Sequence, residues 1–358
     1  MGQGPECFVT VSYLRPGETV LDYLICAAAA TTTRRDGSKG LSPGPLFCHN
    51  CSMETTATTG IGSSCATRYP LLLIHGAGVR DGKRNRVWGD IPEALRMHGA
   101  QVFFGEHDAW GTPIYNAVQL LERFPAILKE SGATKINIIA HSKGGIDARY
   151  LIALLNEEFP GDLPVASLTT IATPHHGSRS IEMLLKSLWP VFIPLSFVAN
   201  LVYKRIGDKN PDFLGTCLYL TPSNMKQFNA TQPDISPIYS QQFASSLHGV
   251  IDDPLVFAPY LFVYLAEGPN DGLISMQSST YDNYRGEYRT ADGRGVPHDY
   301  LVDLPKRPFS ALRESGTILP AVRRFSQAAS KPDSTTLDFK DISDFYLAIA
   351  ADLKARGL

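Results

Sequence analysis

The chain has 358 residues, of which 44% are hydrophobic and 19% are charged, and its 33 Lys and Arg nearly balance 35 Asp and Glu. This composition excludes a globally disordered chain, a collagen and a coiled coil. The formal net charge of −2 gives no basic surface for nucleic acid. No run of 18 uninterrupted apolar residues occurs, so the sequence predicts no transmembrane span.

The first 67 residues differ in composition from the rest of the chain. Ala, Gly, Ser, Thr and Pro fill more than half of the positions from 27 to 68, where large apolar side chains are scarce. Such a segment cannot bury enough apolar surface to offset the chain entropy that folding removes. We therefore predict a low-complexity, disordered leader over residues 1–67 and a globular domain over residues 68–358.

Five of the six cysteines lie before residue 66. Cys48 and Cys51 have the C-x-x-C spacing of a metal or redox pair, but no second pair follows at zinc-finger spacing. We interpret these cysteines as incidental thiols, and we predict neither a metal nor a cofactor.

The amino-terminal residues match an export signal only in part, because such a signal needs a basic start, an apolar core and a small-residue cleavage site. Asp22 interrupts the apolar run Val20–Ile25, and Arg15 is the one basic residue before it. The run Ala27–Ala30 could mimic a cleavage site. The sequence therefore favours a cytoplasmic location and leaves export open.

From Arg68 onward, predicted strands alternate with predicted helices. Strands are expected at Leu71–Ile74, Gln101–Phe104, Ile136–Ala140 and Val165–Ala172, with later ones at Tyr260–Leu265 and Val296–Val302. Helices are expected over Asp90–Met97, from a Thr112 cap and Pro113, over residues 144–156, and from about Asp341 to a stop at Gly357. This alternation predicts an α/β fold with a mostly parallel central sheet and helices on both faces. A helical cap insertion is expected to interrupt it over about residues 178–259.

The segment Ala140-His141-Ser142-Lys143-Gly144 stands between an apolar strand and a helix. This is the pattern of a nucleophile elbow, with Ala in the place of the first Gly. Only small side chains fit two positions before and after the serine, because the strand and the helix approach closely in this strained turn. The turn exposes the serine hydroxyl and aims the helix N-terminus at the reacting oxygen. We predict Ser142 as the nucleophile; the alternative is an ordinary strand-to-helix loop.

A serine nucleophile also needs donors for the oxyanion that forms on its substrate. His75-Gly76-Ala77-Gly78 follows the first strand of the body, at the carboxyl edge of the sheet. In this arrangement one donor comes from that loop and the other from the residue after the nucleophile. We predict the backbone N–H groups of Ala77 and Lys143 as the donors, with His75 and Gly76 beside the substrate. The alternative for this loop is a plain turn.

The acid of a triad is expected after the serine in sequence, and the histidine after the acid. Asn270-Asp271-Gly272 follows the predicted strand Tyr260–Leu265, which would place Asp271 at the carboxyl end of a strand. The same tripeptide is also a common surface turn. His298 follows Asp271 by 27 residues in a Gly/Pro loop, and we predict it as the base.

Three other histidines compete with His298 for the role of base. His248 precedes the acid in sequence, which is the wrong order. His175 and His176 end another strand at the same edge of the sheet, where we expect them to line the cleft. We predict His176 as a substrate-binding residue.

At this point four segments resemble the bacterial triacylglycerol lipase family of the α/β-hydrolase fold. These segments are Tyr69–Gly78, Ile136–Tyr150, Leu168–Ser178 and Glu267–Ile274, and the resemblance covers most of residues 68–358. It implies an α/β-hydrolase fold with a Ser-Asp-His triad. The roles of the family fall on Ser142 as nucleophile, Asp271 as acid and His298 as base.

The chain departs from this family at two points. Family members often bind a structural calcium through an aspartate two residues after the catalytic histidine and another well upstream. This chain has Tyr300 at the downstream position, and the nearby or upstream candidates are Asp299, Asp303, Asp252 and Asp253. We therefore expect no bound calcium. Family members are also commonly exported, whereas this chain shows no complete export signal.

The stretch from Ser187 to Tyr203 carries no charge at all. Pro190 and Pro194 make it short and broken for a membrane span. It is interpreted either as the buried core of the cap or as an acyl-binding lid that contacts a lipid interface transiently. In the second case Trp189 and Phe192 would bind the substrate.

Together these residues predict a serine carboxylic-ester hydrolase, a lipase or esterase that acts on acylglycerols or similar lipid esters through an acyl-enzyme. A polyester depolymerase or an acyltransferase would use the same triad with another substrate or acceptor. A non-catalytic binding protein on this scaffold is the third alternative, because a fold does not fix a function.

Overall fold

Short apolar strands form the centre of the molecule. The computed structural model describes residues 64–81, 87–231, 238–248, 257–290, 293–303, 336–339 and 341–358. The predicted leader lies outside the described residues except for its last four positions, and the Cys48–Cys51 pair lies outside them as well.

Seven strands form one sheet in the order β2-β1-β3-β4-β5-β6-β7, and every neighbouring pair is parallel. In chain order they are β1 (Leu71–Ile74), β2 (Val102–Phe104), β3 (Ile136–His141), β4 (Val165–Ile171), β5 (Tyr239–Ser245), β6 (Tyr284–Thr290) and β7 (Thr336–Phe339). Strands β1, β3 and β4 are buried along their whole length. Burial on both faces is what a parallel sheet requires, and this architecture confirms the predicted fold class.

Helices cover both faces of the sheet. In the described residues the α-helices are α1 (Ile91–Met97), α2 (Pro113–Ser131), α3 (Lys143–Glu158), α4 (Arg179–Ile206), α5 (Phe213–Tyr219), α6 (Pro222–Thr231), α7 (Phe257–Glu267), α8 (Met276–Ser279) and α9 (Ile342–Ala355), and a 3₁₀ helix runs over His298–Val302. Alternate residues of β1 face two separate cores. Leu71 and Leu73 pack with side chains of α1 and α9, whereas Leu72 and Ile74 pack with those of α2 and α3.

The ends of α2 and α9 follow the signals in the sequence. The Thr112 side chain caps α2 by accepting a hydrogen bond from the Tyr115 N–H, and Gly132 ends the helix with a φ of 68°. Asp341 caps α9 in the same way. A left-handed glycine such as Gly132 ends a helix at little steric cost because it has no Cβ.

Two predicted strands are wrong. The run Tyr260–Leu265 lies inside α7, and most of Val296–Val302 is the 3₁₀ helix that begins after Pro297. A short, wholly apolar run does not distinguish a strand from a helix by its pattern. The structure extends the first run to eleven residues, enough for three helical turns.

Strands β5, β6 and β7 do not coincide with any predicted strand. The position of β5 also corrects the predicted bounds of the cap. This strand pairs with β4 and β6 inside the region that was predicted as cap, so the helical part of the cap ends before it. Its sequence YSQQFAS has no apolar run, although six of its seven residues are buried. The nitrogens of both buried amides are hydrogen bonded, since Gln241 Nε2 donates to Thr169 Oγ1 at 3.0 Å and Gln242 Nε2 donates to Ser240 Oγ at 2.7 Å.

Helices α4 to α6 lie in the region predicted as the cap, and we use the name cap for residues 179–231. Its first helix, α4, has 28 residues, contains Pro190 and Pro194, and is bent where Leu188 departs from helical φ and ψ. Among the residues that the structure describes, α4 alone is long and apolar enough to cross a membrane by length and composition. The absence of a transmembrane span therefore stays a prediction.

Candidate active site

Ser142 lies in the sharp turn between β3 and α3. Its φ of 55° and ψ of −134° are strained for a residue with a side chain. The neighbouring glycines are required by space. A Cβ on Gly144 would lie 2.4 Å from the carbonyl oxygen of His75, and one on Gly145 would lie 2.1 Å from Thr173 Oγ1. The small residues of the sequence motif therefore have the steric role that the elbow predicts.

The loop after β1 approaches the serine from the other side. A Cβ on Gly76 would lie 2.7 Å from Ser142 Cβ and 3.2 Å from Ser142 Oγ, so only glycine permits this approach. The N–H of Lys143 is the first of α3 and has no acceptor within the helix. Among the described residues, neither this N–H nor that of Ala77 donates a hydrogen bond. Both groups can therefore bind an oxyanion.

Asp271 and His298 form a hydrogen-bonded pair although 27 residues separate them in sequence. His298 Nδ1 lies 2.7 Å from Asp271 Oδ2, and the backbone N–H of His298 donates to the carbonyl of Asp271 at 3.0 Å. The other carboxylate oxygen accepts from the N–H groups of Leu273 and Ile274 at 3.0 and 2.7 Å. Asp271 is buried and held by both oxygens, so it can fix the orientation of the imidazole.

The imidazole of His298 lies beside the residue that precedes Ser142. The rings of His141 and His298 have centroids 4.5 Å apart, and His141 Nε2 lies 3.1 Å from the carbonyl oxygen of His298. The structure gives no hydrogen bond between the Ser142 hydroxyl and the His298 imidazole. In free enzymes such a bond is often long and tightens only when substrate binds.

The competing histidines have other contacts. His175 is fully buried, stacks on Tyr281 with ring centroids 5.0 Å apart, and its Nε2 lies 2.9 Å from Thr170 Oγ1. His175 therefore does not line the cleft, and that prediction is wrong. His176 is exposed, and its Nε2 lies 3.1 Å from the carbonyl oxygen of Thr280. His248 contacts Arg289.

His75 cannot bind substrate through its side chain, which corrects a prediction. Its ring is fully buried and stacks on His107 with centroids 3.8 Å apart and planes 12° apart. The predicted substrate residues of the cap lie at its surface. Trp189 is 41% exposed, and Phe192 is half-buried with its ring 6.1 Å from that of Phe213.

One group of side chains has the composition of a metal site. His75, Asp81 and His107 bring one ligand atom each within 4.8 Å of one another, and His75 Nε2 and His107 Nδ1 have no hydrogen-bond partner. The two rings are stacked, however, so their nitrogen lone pairs lie in nearly parallel planes and do not converge on one ion. A single metal would sit far out of the plane of at least one ring, and we assign none.

Sequence reasoning missed a buried polar cluster behind the nucleophile. Lys143 Nζ donates to both carboxylate oxygens of Asp147, at 2.9 and 2.7 Å, and Asn116 Nδ2 donates to the same carboxylate at 2.8 Å. His107 Nε2 lies 3.6 Å from it. The signal was present in the sequence, because Lys143 and Asp147 are four residues apart in a helix and so share a face.

Three buried histidines predict a pH-dependent stability. Burial lowers the pKa of His107, His141 and His175 well below 6.5, and the nearby charges of His75, His298 and Arg149, respectively, lower it further. The unfolded chain therefore binds more protons than the folded one just below pH 6.5. Above that pH the free energy of unfolding should not depend on these histidines. As the pH is lowered it should fall, by about 1.4 kcal/mol per pH unit for each histidine.

Urea unfolding at a series of pH values between about 7.5 and 5.5 measures this slope. The variant His107→Gln should lower the slope by about one proton, because it removes one of the three groups. A free energy of unfolding that does not change over this range would contradict the neutral, buried state of these histidines.

Comparison with known proteins finds similarity to esterases and lipases. Residues 116–193 match the family model described as "Putative serine esterase (DUF676)". Proteins named triacylglycerol lipase from Burkholderia plantarii and Pseudarthrobacter phenanthrenivorans are 38% and 40% identical over 36% and 33% of this chain. The chain spans only 36% and 37% of the length of these two relatives. Triacylglycerol lipase 2 of Saccharomyces cerevisiae is 29% identical over 75% of this chain and 74% of its own length.

Solved structures give the same fold at low sequence identity. A metagenomic carboxyl esterase has a TM-score of 0.55 with 16% identity, over 90% of this chain and 82% of its own. Lipase 1 from Pelosinus fermentans has a TM-score of 0.52 with 16% identity, over 80% of this chain and 99% of its own. The chain is thus related to triacylglycerol lipases and has the α/β-hydrolase fold, as its sequence motifs predict.

Proposed function

We propose that the chain is a serine carboxylic-ester hydrolase that acts on lipid esters. The observation that carries the proposal is the Asp271–His298 pair, 2.7 Å apart and with its carboxylate buried, next to a strained serine elbow. Two backbone N–H groups without acceptors flank the same serine. A nucleophile, a base, an acid and an oxyanion site are the groups that acyl transfer needs.

In the proposed mechanism, His298 accepts the proton of the Ser142 hydroxyl as its oxygen attacks the ester carbonyl. The N–H groups of Ala77 and Lys143 bind the oxyanion of the tetrahedral intermediate. His298 then gives the proton to the departing alcohol, which leaves an acyl-enzyme. Water, deprotonated by His298, releases the acid, while Asp271 stabilises the imidazolium.

The surface of the cap supports a lipid substrate. Large apolar side chains of α4 are exposed on a chain segment without charges, and α7 adds three more beside it. The exposed residues are Leu188, Trp189, Val191, Ile193, Leu195, Phe197, Val198, Leu201, Val202, Leu261, Tyr264 and Leu265. A contiguous apolar patch of this kind is rare on a protein surface that contacts only water. We propose that the cap contacts a lipid interface transiently and that α4 binds the acyl chain.

The double variant Trp189→Ser with Phe192→Ser should lower activity on long-chain esters far more than on acetate or butyrate esters. Each methylene transferred from water to an apolar surface contributes about 0.8 kcal/mol, so the loss should grow with acyl length. Initial rates on a chromogenic ester series measure it. Phe159→Ser, at an exposed position outside the cap, is the matched control and should keep the chain-length profile. Equal losses on all lengths would show that α4 does not select the acyl group.

Hydrolysis of a short chromogenic ester by the purified chain tests the reaction class. Turnover that ends with free acid is expected. Binding without turnover would favour a non-catalytic protein on this scaffold. Transfer of the acyl group to an added alcohol in preference to water would favour an acyltransferase, and release of soluble fragments from a polyester film would favour a depolymerase.

A further inference from the structure

The loop that carries the Ala77 N–H is held in place by the end of the cap helix. The Tyr203 hydroxyl, in the last turns of α4, donates to the carbonyl oxygen of Gly78 at 3.0 Å. The N–H of Gly78 donates to the carbonyl of Ala109 at 3.2 Å. Both polar groups of the residue that follows Ala77 are therefore bound to parts of the protein outside the loop.

The segment after α4 is itself fixed to the body. The buried carboxylate of Asp208 pairs with Arg80 and accepts from the N–H groups of Ala109 and Trp110, each at 3.0 Å. In the opposite direction, the carboxylate of Asp108 accepts from the N–H groups of residues 209 and 210 at 2.8 and 2.6 Å. This end of the cap is thus a fixed support, and Tyr203 is attached to it.

The loop needs such a support because its backbone is not held by the hydrogen bonds of a helix or a strand. Residues 75–80 form no strand or helix, and Gly76 and Gly78 stand on either side of Ala77. Gly78 has a φ of 78°, which a glycine reaches and leaves readily. An oxyanion donor must lie within about 2.7–3.1 Å of the developing charge, and displacing such a group by about 1 Å can reduce the rate about a hundredfold.

We propose that Tyr203 is a positioning residue for the oxyanion site: its hydroxyl holds Gly78, and through it the Ala77 N–H, in the place where the oxyanion forms. This inference rests on the proposed function. Tyr203 would thus have a different role from the rest of the uncharged stretch 187–203, for which we propose acyl binding. Tyr203 is half-buried, with its ring edge-on to that of Trp110 and the ring centroids 6.0 Å apart, whereas Leu201 and Val202 just before it are exposed.

Tyr203→Phe tests the proposal because it removes one oxygen and keeps the ring. We expect kcat to fall about 5- to 30-fold, less than the 10²–10³ that follows removal of an oxyanion donor, with KM within about twofold of wild type. The loss should be the same for acetate and long-chain esters. Affinity for phenylboronic acid, whose tetrahedral adduct with serine carries an oxygen in the oxyanion site, should fall by the same factor as kcat/KM. Rates are normalised to active sites titrated with a phosphonate ester, and the melting temperature should not change.

Tyr239→Phe is the matched control, since this tyrosine is also half-buried and its hydroxyl donates to Gln241 Oε1 at 3.2 Å, at the amino end of β5 and away from the serine elbow. It should leave kcat, KM and the boronate affinity unchanged. Unchanged kcat and boronate affinity in Tyr203→Phe would overturn the proposal. So would a loss confined to long-chain esters, which would assign Tyr203 to acyl binding, or a loss explained by fewer active sites. A wild-type protein without esterase activity would overturn the proposed function and this inference together, whereas an active wild type with an unaffected variant overturns the inference alone.

Discussion

Replacement of Ser142 by alanine should abolish ester hydrolysis while the fold stays intact. Loss of a serine nucleophile typically reduces kcat by about four to six orders of magnitude, because the remaining groups cannot form the acyl-enzyme. Alanine keeps the Cβ, so the strained φ of 55° and the packing against Gly76 are the same in the variant as in the wild type. Initial rates on a short chromogenic ester, with circular dichroism as a check on folding, measure the effect.

The control for this variant is Ser279→Ala, which removes the hydroxyl of another buried serine. It should keep near wild-type activity. A folded Ser142→Ala protein that retains about a hundredth or more of the wild-type rate would exclude Ser142 as nucleophile.

Replacement of Asp147 by leucine should cause the largest loss of stability. Burial lowers the pKa of Lys143 and raises that of Asp147, while the opposite charge of each partner and their hydrogen bonds favour the ionised pair. The two side chains are 1% and 0% exposed, so removal of the carboxylate leaves an ammonium group with no access to water. Breaking one partner of a buried pair typically costs about 3–5 kcal/mol. Urea unfolding measures this loss.

The double variant Lys143→Met with Asp147→Leu separates the stranded charge from the lost packing. Asn116 loses an acceptor in both variants, so the difference between them reports the uncompensated lysine. We expect the double variant to be more stable than Asp147→Leu alone, because apolar pairs of similar volume often replace buried ion pairs at little cost. A double variant that is equally unstable would show that the stability of this site does not depend on charge pairing.

Local sequence patterns predicted the parts of the fold that local forces determine. The apolar strand β1, the mostly apolar strand β3 and the Thr112 cap each have one physical explanation that operates within a few residues. The errors occur where a pattern permits two structures. An apolar run suits a buried strand as well as a helix, which is why α7 was predicted as a strand.

Other features depend on contacts between distant residues, which periodicity does not encode. Strand β5 buries polar side chains because neighbouring strands supply hydrogen-bond partners, such as Thr169 of β4 for Gln241 and the Tyr288 carbonyl of β6 for Ser245. The Arg80–Asp208 pair joins residues 128 positions apart, and nothing in either local sequence indicates the other. The order of residues in a nucleophile-elbow enzyme pointed to Asp271 and His298, and the structure brings this pair to hydrogen-bond distance. Their role in catalysis stays a prediction.

The most direct test of the proposed active site is covalent labelling with a reactive phosphonate ester, followed by peptide mapping. Such esters react with a serine that is activated by a histidine and stabilised by an oxyanion site, and they leave ordinary serines unmodified. We predict one phosphonyl group per chain, on the peptide that contains Ser142, with simultaneous loss of esterase activity. His298→Ala should react far more slowly. Labelling at another residue, or full inhibition without modification of Ser142, would contradict the proposed active site.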